Sequence, residues 1–174
     1  MEAGSLTSRS ADVGALVAAR LGPAYRLARA ILLDDQDAQD AVQDACVIAW
    51  RKQGSLRDPV RFDAWFDRIL VNVCRDRMRG RRRVREIAPT RWPTSTDGPG
   101  SEPPGSSRSD DAIDGALAAL DVDHRIVVVM RYWQDRTVDD ITARLAIPSG
   151  TVKSRLHYAL QIIRTQVEVG DGRA

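Results

Sequence analysis

A chain of 174 residues has room for one ordinary domain or two small ones. Its 26 basic and 24 acidic residues leave a formal net charge of +2, so the total marks neither a polyanion binder nor an acidic tail, and the information lies in where the charges sit. No apolar run reaches membrane-span length and the opening MEAGSLTSRS lacks a signal peptide's apolar core, so a cytoplasmic protein with no membrane insertion is expected.

The first element is a helix or helix pair over Asp12 to Leu33, with Gly22-Pro23 as a joint. Next comes DDQDAQDAVQDACVIAWRK, where Asp34, Asp35, Asp37, Asp40 and Asp44 crowd a stretch with no base among them. The early acids suit a helix N-terminus. Asp40 and Asp44 lie one turn apart on a face shared with Gln43, and like charges at that spacing repel unless a basic partner compensates. An acidic docking patch is the alternative reading. Ala41, Val42, Ala45, Val47, Ile48 and Trp50 are expected to form the buried side.

After a turn at Gly54 to Pro59, a long amphipathic helix begins near Phe62, with Phe62, Phe66, Ile69 and Val73 on its apolar stripe. A second face carries Trp65, Arg68, Asn72, Arg75 and Arg79. The helix runs into RDRMRGRRRVR, where seven arginines have only Asp76 among them as a counter-charge. A polyanion relieves such repulsion and releases counterions, so nucleic-acid contact is expected. A merely solvated basic end normally mixes in acids or lysines. Residues 89–109 hold five prolines and three glycines among serines, which reads as a flexible linker. Extended, it spans roughly 70 Å at about 3.3 Å per residue.

The second domain is expected over residues 110–168. Ile113, Ala116, Leu117 and Leu120 form its first helix, and the apolar run Ile126 to Met130 a buried one, because no partner strand exists for it. Val138, Ile141 and Leu145 recur at i, i+3, i+7. Pro148 interrupts that pattern, and Ser149 offers a cap for the helix that follows. Val152, Leu156, Ala159, Leu160 and Ile163 make that helix's buried arc. The opposite arc holds Thr151, Ser154, His157 and Tyr158, flanked by Lys153 and Arg155. Short donors with cations and no acids are what a major-groove helix requires, although a solvated surface face has the same pattern. VEVGDGRA reads as a short frayed tail.

Cys46 and Cys74 share no metal-ligand spacing with His124 or His157 and read as small core residues, a redox role being the alternative. No phosphate loop, nucleophile elbow or carboxylate pair is present, so the chain reads as a binder, not an enzyme, with no metal and no cofactor. The fold class is all-α: two small helical domains, over residues 12–88 and 110–168, joined by the linker.

Taken together, DAQDAVQDACVIAW followed by FDAWFDRILVNVCRDRMRGRRR, and then VVVMRYWQDRTVDDITARLAIPSGTVKSRLHYAL, resemble the extracytoplasmic-function (ECF) class of bacterial sigma factors in the sigma-70 family. The resemblance covers nearly everything outside the linker and termini. It implies a subunit that binds RNA polymerase core and directs it to particular promoters. On it, Asp40, Gln43 and Asp44 match the core-binding motif. The helix from Phe62 to Arg83 would meet the −10 element and help open the duplex, with the turn from Leu56 to Arg61 beside a captured base and Asn72 as the melting helix's polar residue. Arg75, Arg79, Arg82 and Arg83 would hold phosphates. Trp65 is open between base stacking and the core. Lys153, Ser154, His157 and Tyr158 would read the −35 element while Thr151 and Arg155 hold the backbone. A chain of this class is expected to be monomeric when free, and the class commonly has an anti-sigma factor as a further partner.

Three positions depart from the family pattern. Tyr158 stands where a basic residue is usual, and Asp140 and Thr142 where Glu and Ala are. His157 is variable in the family. These put the promoter sequence in doubt, not the function. The rival readings are a stand-alone helix-turn-helix regulator that binds duplex DNA without polymerase, and a core-binding protein that has lost promoter melting.

Overall fold

The first helix, α1 (Ala3–Leu32), runs unbroken through Pro23. Proline removes one backbone donor and costs about 3 kcal/mol in a helix interior. Against that stand buried Val13 on one side of the proline and Leu27 and Ile31 on the other, the larger ones worth about 1.5–3 kcal/mol each. Packing outweighs the proline, so the expected joint at Gly22-Pro23 is not a break. Leu33 then turns left-handed (φ 56°), and Asp34 caps the next helix by accepting from the Asp37 N–H at 2.7 Å.

This computed structural model describes residues 3–87 and 108–171, with side chains over 13–83 and 113–166. All but the last two residues of the predicted linker lie outside the described residues, and those two already belong to the following helix. After α2 (Asp35–Lys52) come two 3-10 turns, Gln53–Ser55 and Pro59–Arg61, and then α3 (Phe62–Ile87). The first core joins Ala24, Leu27, Ala28 and Ile31 of α1, Ala38, Ala41, Ala45 and Ala49 of α2, and Phe62, Phe66, Leu70 and Cys74 of α3. The alanine stripe on α2 lets three helices approach closely. It also corrects the expected buried side: Val47 and Trp50 are 49% and 52% exposed, and Ile48 is only half-buried. On α3, Ile69 and Val73 are half-buried while Leu70, Val71 and Cys74 are fully buried.

The second half comprises α4 (Arg108–Ala118), α5 (Val122–Val128), a single π turn (Val129–Trp133), α6 (Val138–Leu145) and α7 (Ser149–Asp171). Asp121 caps α5 by accepting from the N–H groups of Asp123 and His124. The β-branched run Ile126 to Val129 is helical and buried with Met130. No strand occurs among the described residues, so an extended run would leave its backbone groups unpaired. Thr137 and Asp140 form a capping box at α6, each side chain accepting from the other's backbone N–H at 3.1 Å. Ala146 closes α6 in the left-handed region (φ 53°). Two expectations fail here. Ser149 lies inside α7 rather than capping it, since the N–H groups of Thr151 and Val152 bond to the Pro148 carbonyl. The expected frayed tail is helical as far as Asp171.

The two halves pack together. The α6 helix lies against α3, and α5 against both α1 and α3.

Candidate core-docking and DNA interfaces

The α2 face carrying Asp40, Gln43 and Asp44 is held in place from α3. The Arg77 guanidinium reaches Asp44 at 2.6 Å, Asp37 at 3.5 Å and Asp40 at 3.7 Å, and Arg81 pairs with Asp34 and Asp37. The base absent from the acidic stretch is supplied one helix later. These are partly exposed pairs of modest individual worth, but they fix the acids as a row and relieve the repulsion between Asp40 and Asp44. Gln43 and Asp44 stay exposed. Val47 and Trp50 continue the same face, at i+4 and i+7 from Gln43. The sequence pattern placed them inside because they are apolar. The narrow alanine stripe was the signal that they are not needed there.

The pairing of Arg77 and Arg81 with α2 sorts the arginines by helical face. Trp65, Arg68, Asn72, Arg75 and Arg79 follow one another at three- and four-residue steps on the other face. Two grooves adjoin this stripe. One, of about 350 Å³, has a floor of Ile48, Ile69 and Val73 with Lys52, Asn72, Arg75 and Arg79 around it. The other, of about 660 Å³, lies beside the turn 53–61, where Arg57, Arg61, Trp65 and Arg68 line it and Ala143 of α6 contributes to the wall. Cations around an apolar floor form a surface suited to unstacked single-strand bases and their phosphates. Trp65 is half-buried: its ring packs on Phe62 (centroids 5.9 Å apart) and its indole N–H donates to Ser55 Oγ at 3.2 Å. Arg61, Arg79, Arg82 and Arg83 are exposed. Lys52, Arg57 and Arg68 also line these grooves. Arg68 lies one turn from both Trp65 and Asn72.

On α7, Lys153, Ser154, His157 and Tyr158 are exposed over a buried line of Val152 and Ala159. Leu156, Leu160 and Ile163 are half-buried, as is Thr151. Ser154 Oγ donates back to the Thr151 carbonyl at 3.1 Å. His157 shares a 3.1 Å hydrogen bond with the Gln161 side chain, so Gln161 joins this face as a residue missed earlier. The Tyr158 ring stands edge-on between His157 and His124.

The structure brings together two residues expected on separate DNA elements. Asp123 accepts from Arg75 of α3 at 2.7 Å and from Arg155 of α7 at 3.0 Å. Nearby, Asp67 is 0% exposed and is gripped by Arg20 of α1 through both oxygens (2.9 and 3.0 Å) and by Arg144 of α6 (2.8 Å). Arg68 donates to the carbonyls of Ala143 (2.5 Å) and Arg144 (3.0 Å). Arg125 is 4% exposed, and among the described residues no carboxylate hydrogen-bonds to it. It donates instead to the carbonyls of Leu117, Ala118 and Leu120 and, across the chain, to Ile31 at 2.7 Å. Its pKa is lowered by burial, against the pull of Asp121 and Asp114. Orphan carbonyls at helix C-termini give a guanidinium strong acceptors on the negative side of the helix dipole.

Cys74 lies in the core and its thiol is pushed up to about 12, while Cys46 is half-buried against that core and burial raises its thiol too. Among the described residues no cluster of His, Cys, Asp or Glu is placed to hold a metal ion, and no helix is long and apolar enough to cross a membrane.

Two family models match the chain, Sigma-70 region 2 over residues 16–84 and Sigma-70 region 4 over residues 116–170. The ECF RNA polymerase sigma factor SigM of Mycobacterium tuberculosis is 35% identical over 131 residues, 75% of this chain and 64% of the relative, so the chain spans just under two thirds of that protein's length. The RNA polymerase sigma-E factor of Streptomyces avermitilis is 31% identical over 84% of this chain and 79% of its own length. Among solved structures, the sigma factor RpoE of Bartonella quintana, in complex with the anti-sigma factor NepR, superposes with a TM-score of 0.68 at 25% identity, covering 91% of this chain and 98% of that one. CnrH in complex with the cytosolic domain of CnrY gives 0.65 over 90% and 88%. With both sigma regions matched in order, the chain belongs to the ECF class of sigma-70-family RNA polymerase sigma factors.

Proposed function

We propose that this chain binds RNA polymerase core and directs it to a two-element promoter, acting in the cytoplasm as a monomeric, non-catalytic initiation factor without metal or cofactor. The observation that carries the reading is the division of polar surface. An acidic face on α2 is fixed from behind by Arg77, while α3 carries a cationic, groove-bearing face and α7 an exposed polar arc of the kinds that DNA takes. Asp40, Gln43 and Asp44 dock on core. Arg61, Trp65, Asn72, Arg75, Arg79, Arg82 and Arg83 act at the −10 element, with Lys52, Arg57 and Arg68 added to them. Thr151, Lys153, Ser154, Arg155, His157 and Tyr158 act at the −35 element. An anti-sigma partner is supported by the solved neighbour RpoE, a sigma factor held by the anti-sigma factor NepR.

The test is run-off transcription with purified core polymerase on a library of genomic fragments, with and without the protein. New transcripts sharing two upstream elements are expected, and their loss on changing Asp40 and Asp44 to Ala, with the thermal midpoint held, would place docking on α2. Specific duplex binding by the protein alone, without new transcripts, would favour the stand-alone regulator instead.

A further inference from the structure

We propose that the space between α1 and the π turn is a binding site for a nucleoside monophosphate, a phosphate dianion carried with a planar, amino-bearing ring. None of its residues belongs to the docking or DNA-reading surfaces, so the site stands apart from the sigma reading above.

One wall comes from α1, where Arg20, Pro23 and Leu27 recur on a single face at steps of three and four residues. Arg26 flanks them and folds back over Gly22, where an added Cβ would lie 3.6 Å from its Nη1. The other wall comes from the end of the π turn. The Gln134 N–H donates to the Val129 carbonyl at 3.2 Å, Asp135 turns left-handed (φ 50°), and the Arg136 N–H returns to the Met130 carbonyl at 3.0 Å. This wide turn sets Trp133, Gln134 and Arg136 against α1 around a space of about 220 Å³. Single π turns next to α-helices are frequent at functional sites.

The chemistry of the lining selects the ligand. Three guanidiniums, those of Arg20, Arg26 and Arg136, line the space and no acid does. Arg20 is already matched, through Nη2 to both oxygens of Asp67 and through Nη1 to Asp63 at 3.6 Å. Among the described residues neither Arg26 nor Arg136 forms an ion pair, which leaves two positive charges to be met. A phosphate monoester carries close to that charge near pH 7. Three buried polar atoms of the same lining have no hydrogen-bond partner: Arg20 Nε, Arg136 Nε and Gln134 Oε1. Buried polar atoms are nearly always bonded, so three orphans around one space call for atoms of a ligand. The two Nε–H groups suit phosphate oxygens. Gln134 Oε1 can only accept, and so requires an N–H that inorganic phosphate lacks. Trp133 lines the space while 52% exposed, which leaves indole face open for a ring to stack on. The volume is below the roughly 300–1,000 Å³ of drug-sized sites, so it suits one nucleotide and not a dinucleotide.

The experiment titrates the full chain with adenosine 5′-monophosphate, inorganic phosphate and adenosine, read by isothermal titration calorimetry and thermal melting. The nucleotide should bind one to one with a Kd below about 1 mM and raise the thermal midpoint as its concentration rises. Phosphate and adenosine should each bind at least about tenfold more weakly. Arg26→Gln and Arg136→Gln should each weaken the nucleotide about tenfold or more, the loss expected for a charged hydrogen bond. Arg26 is exposed, so its replacement tests the site without disturbing a buried group. Trp133→Ala should weaken the nucleotide and leave phosphate unchanged. No saturable binding of the nucleotide overturns the site, as do Arg26→Gln and Arg136→Gln proteins that keep circular dichroism and bind it as before. Binding that survives both of these changes but disappears in the double variant Arg82→Gln/Arg83→Gln places the anion on the basic end of α3 and also overturns it. Phosphate bound as tightly as the nucleotide does the same, because the ring and Gln134 would then contribute nothing. None of these readouts uses polymerase or promoter DNA, so failure here leaves the sigma reading untouched.

Discussion

Trp50 lies about half exposed one turn beyond the acidic row, on a helix whose inward face is already filled by alanines. A large aromatic left at the surface beside a docking face is a common anchor of binding energy. Trp50→Ala is therefore expected to weaken binding to core polymerase at least about tenfold, equivalent to about 1.4 kcal/mol, with little change in thermal midpoint. A loss of stability with unchanged core affinity would return Trp50 to the structural role the sequence pattern suggested. Thr142 makes the opposite case. Its hydroxyl is buried without a hydrogen-bond partner, at a position where the family usually has alanine. An unsatisfied buried hydroxyl and a β-branched residue in a helix both cost free energy. Thr142→Ala should raise stability by about 1 kcal/mol in chemical denaturation. A destabilised variant would mean that the hydroxyl has a partner in solution.

Single polar side chains hold whole elements in place, and the second half shows this most clearly. Arg125 ties the carbonyl end of α4 to that of α1 with four hydrogen bonds and no acid. Its replacement by Met should cost about 3 kcal/mol, the loss expected when charged hydrogen bonds go and buried acceptors are left behind; a denaturant midpoint shift under a third of that would refute this. The caps of α5 and α6 titrate. Asp140 is held below the usual carboxylate range by the Thr137 hydroxyl and N–H. For Asp121, burial pushes upward but is outweighed by donation from the His124 backbone and ring and the Asp123 backbone. Both folded values are depressed, so their stabilisation is complete above the ordinary value of about 3.9 and is lost as pH falls through the folded value. Helical circular dichroism should decline below about pH 4, and Asp121→Ala should flatten that decline. None of this was read from the sequence, because Arg125 looks like any helical arginine until Ile31 is brought beside it. The helices themselves were legible from periodicity. The failures at Pro23, Val47 and Trp50 share one cause: local rules assign proline to joints and apolar residues to cores, whereas here neighbouring helices decided both.

For the whole molecule, composition and charge segregation indicated two helical halves but could not show that they touch. The contacts that join them, Asp67 to Arg144, Asp123 to Arg75 and Arg125 to Ile31, pair residues 48 to 94 positions apart. No periodicity encodes such distances, and each half has its own apolar stripe that accounts for its burial. The arrangement has a thermodynamic consequence that can be measured without polymerase or DNA. Two domains on a tether unfold independently, whereas domains sharing buried charges unfold as one unit, since separating them leaves Arg144 without its carboxylate and the Ile31 carbonyl without its donor. Scanning calorimetry of the full chain should therefore show a single heat-absorption peak, with calorimetric and van't Hoff enthalpies in agreement. Arg144→Met should split the peak, the half containing α4 to α7 melting first because its smaller core leans on Arg125 and the α1 carbonyl. Two peaks in the unmodified chain would mean that the interface contributes less than the thermal energy needed to couple the halves, and the chain would then rest open.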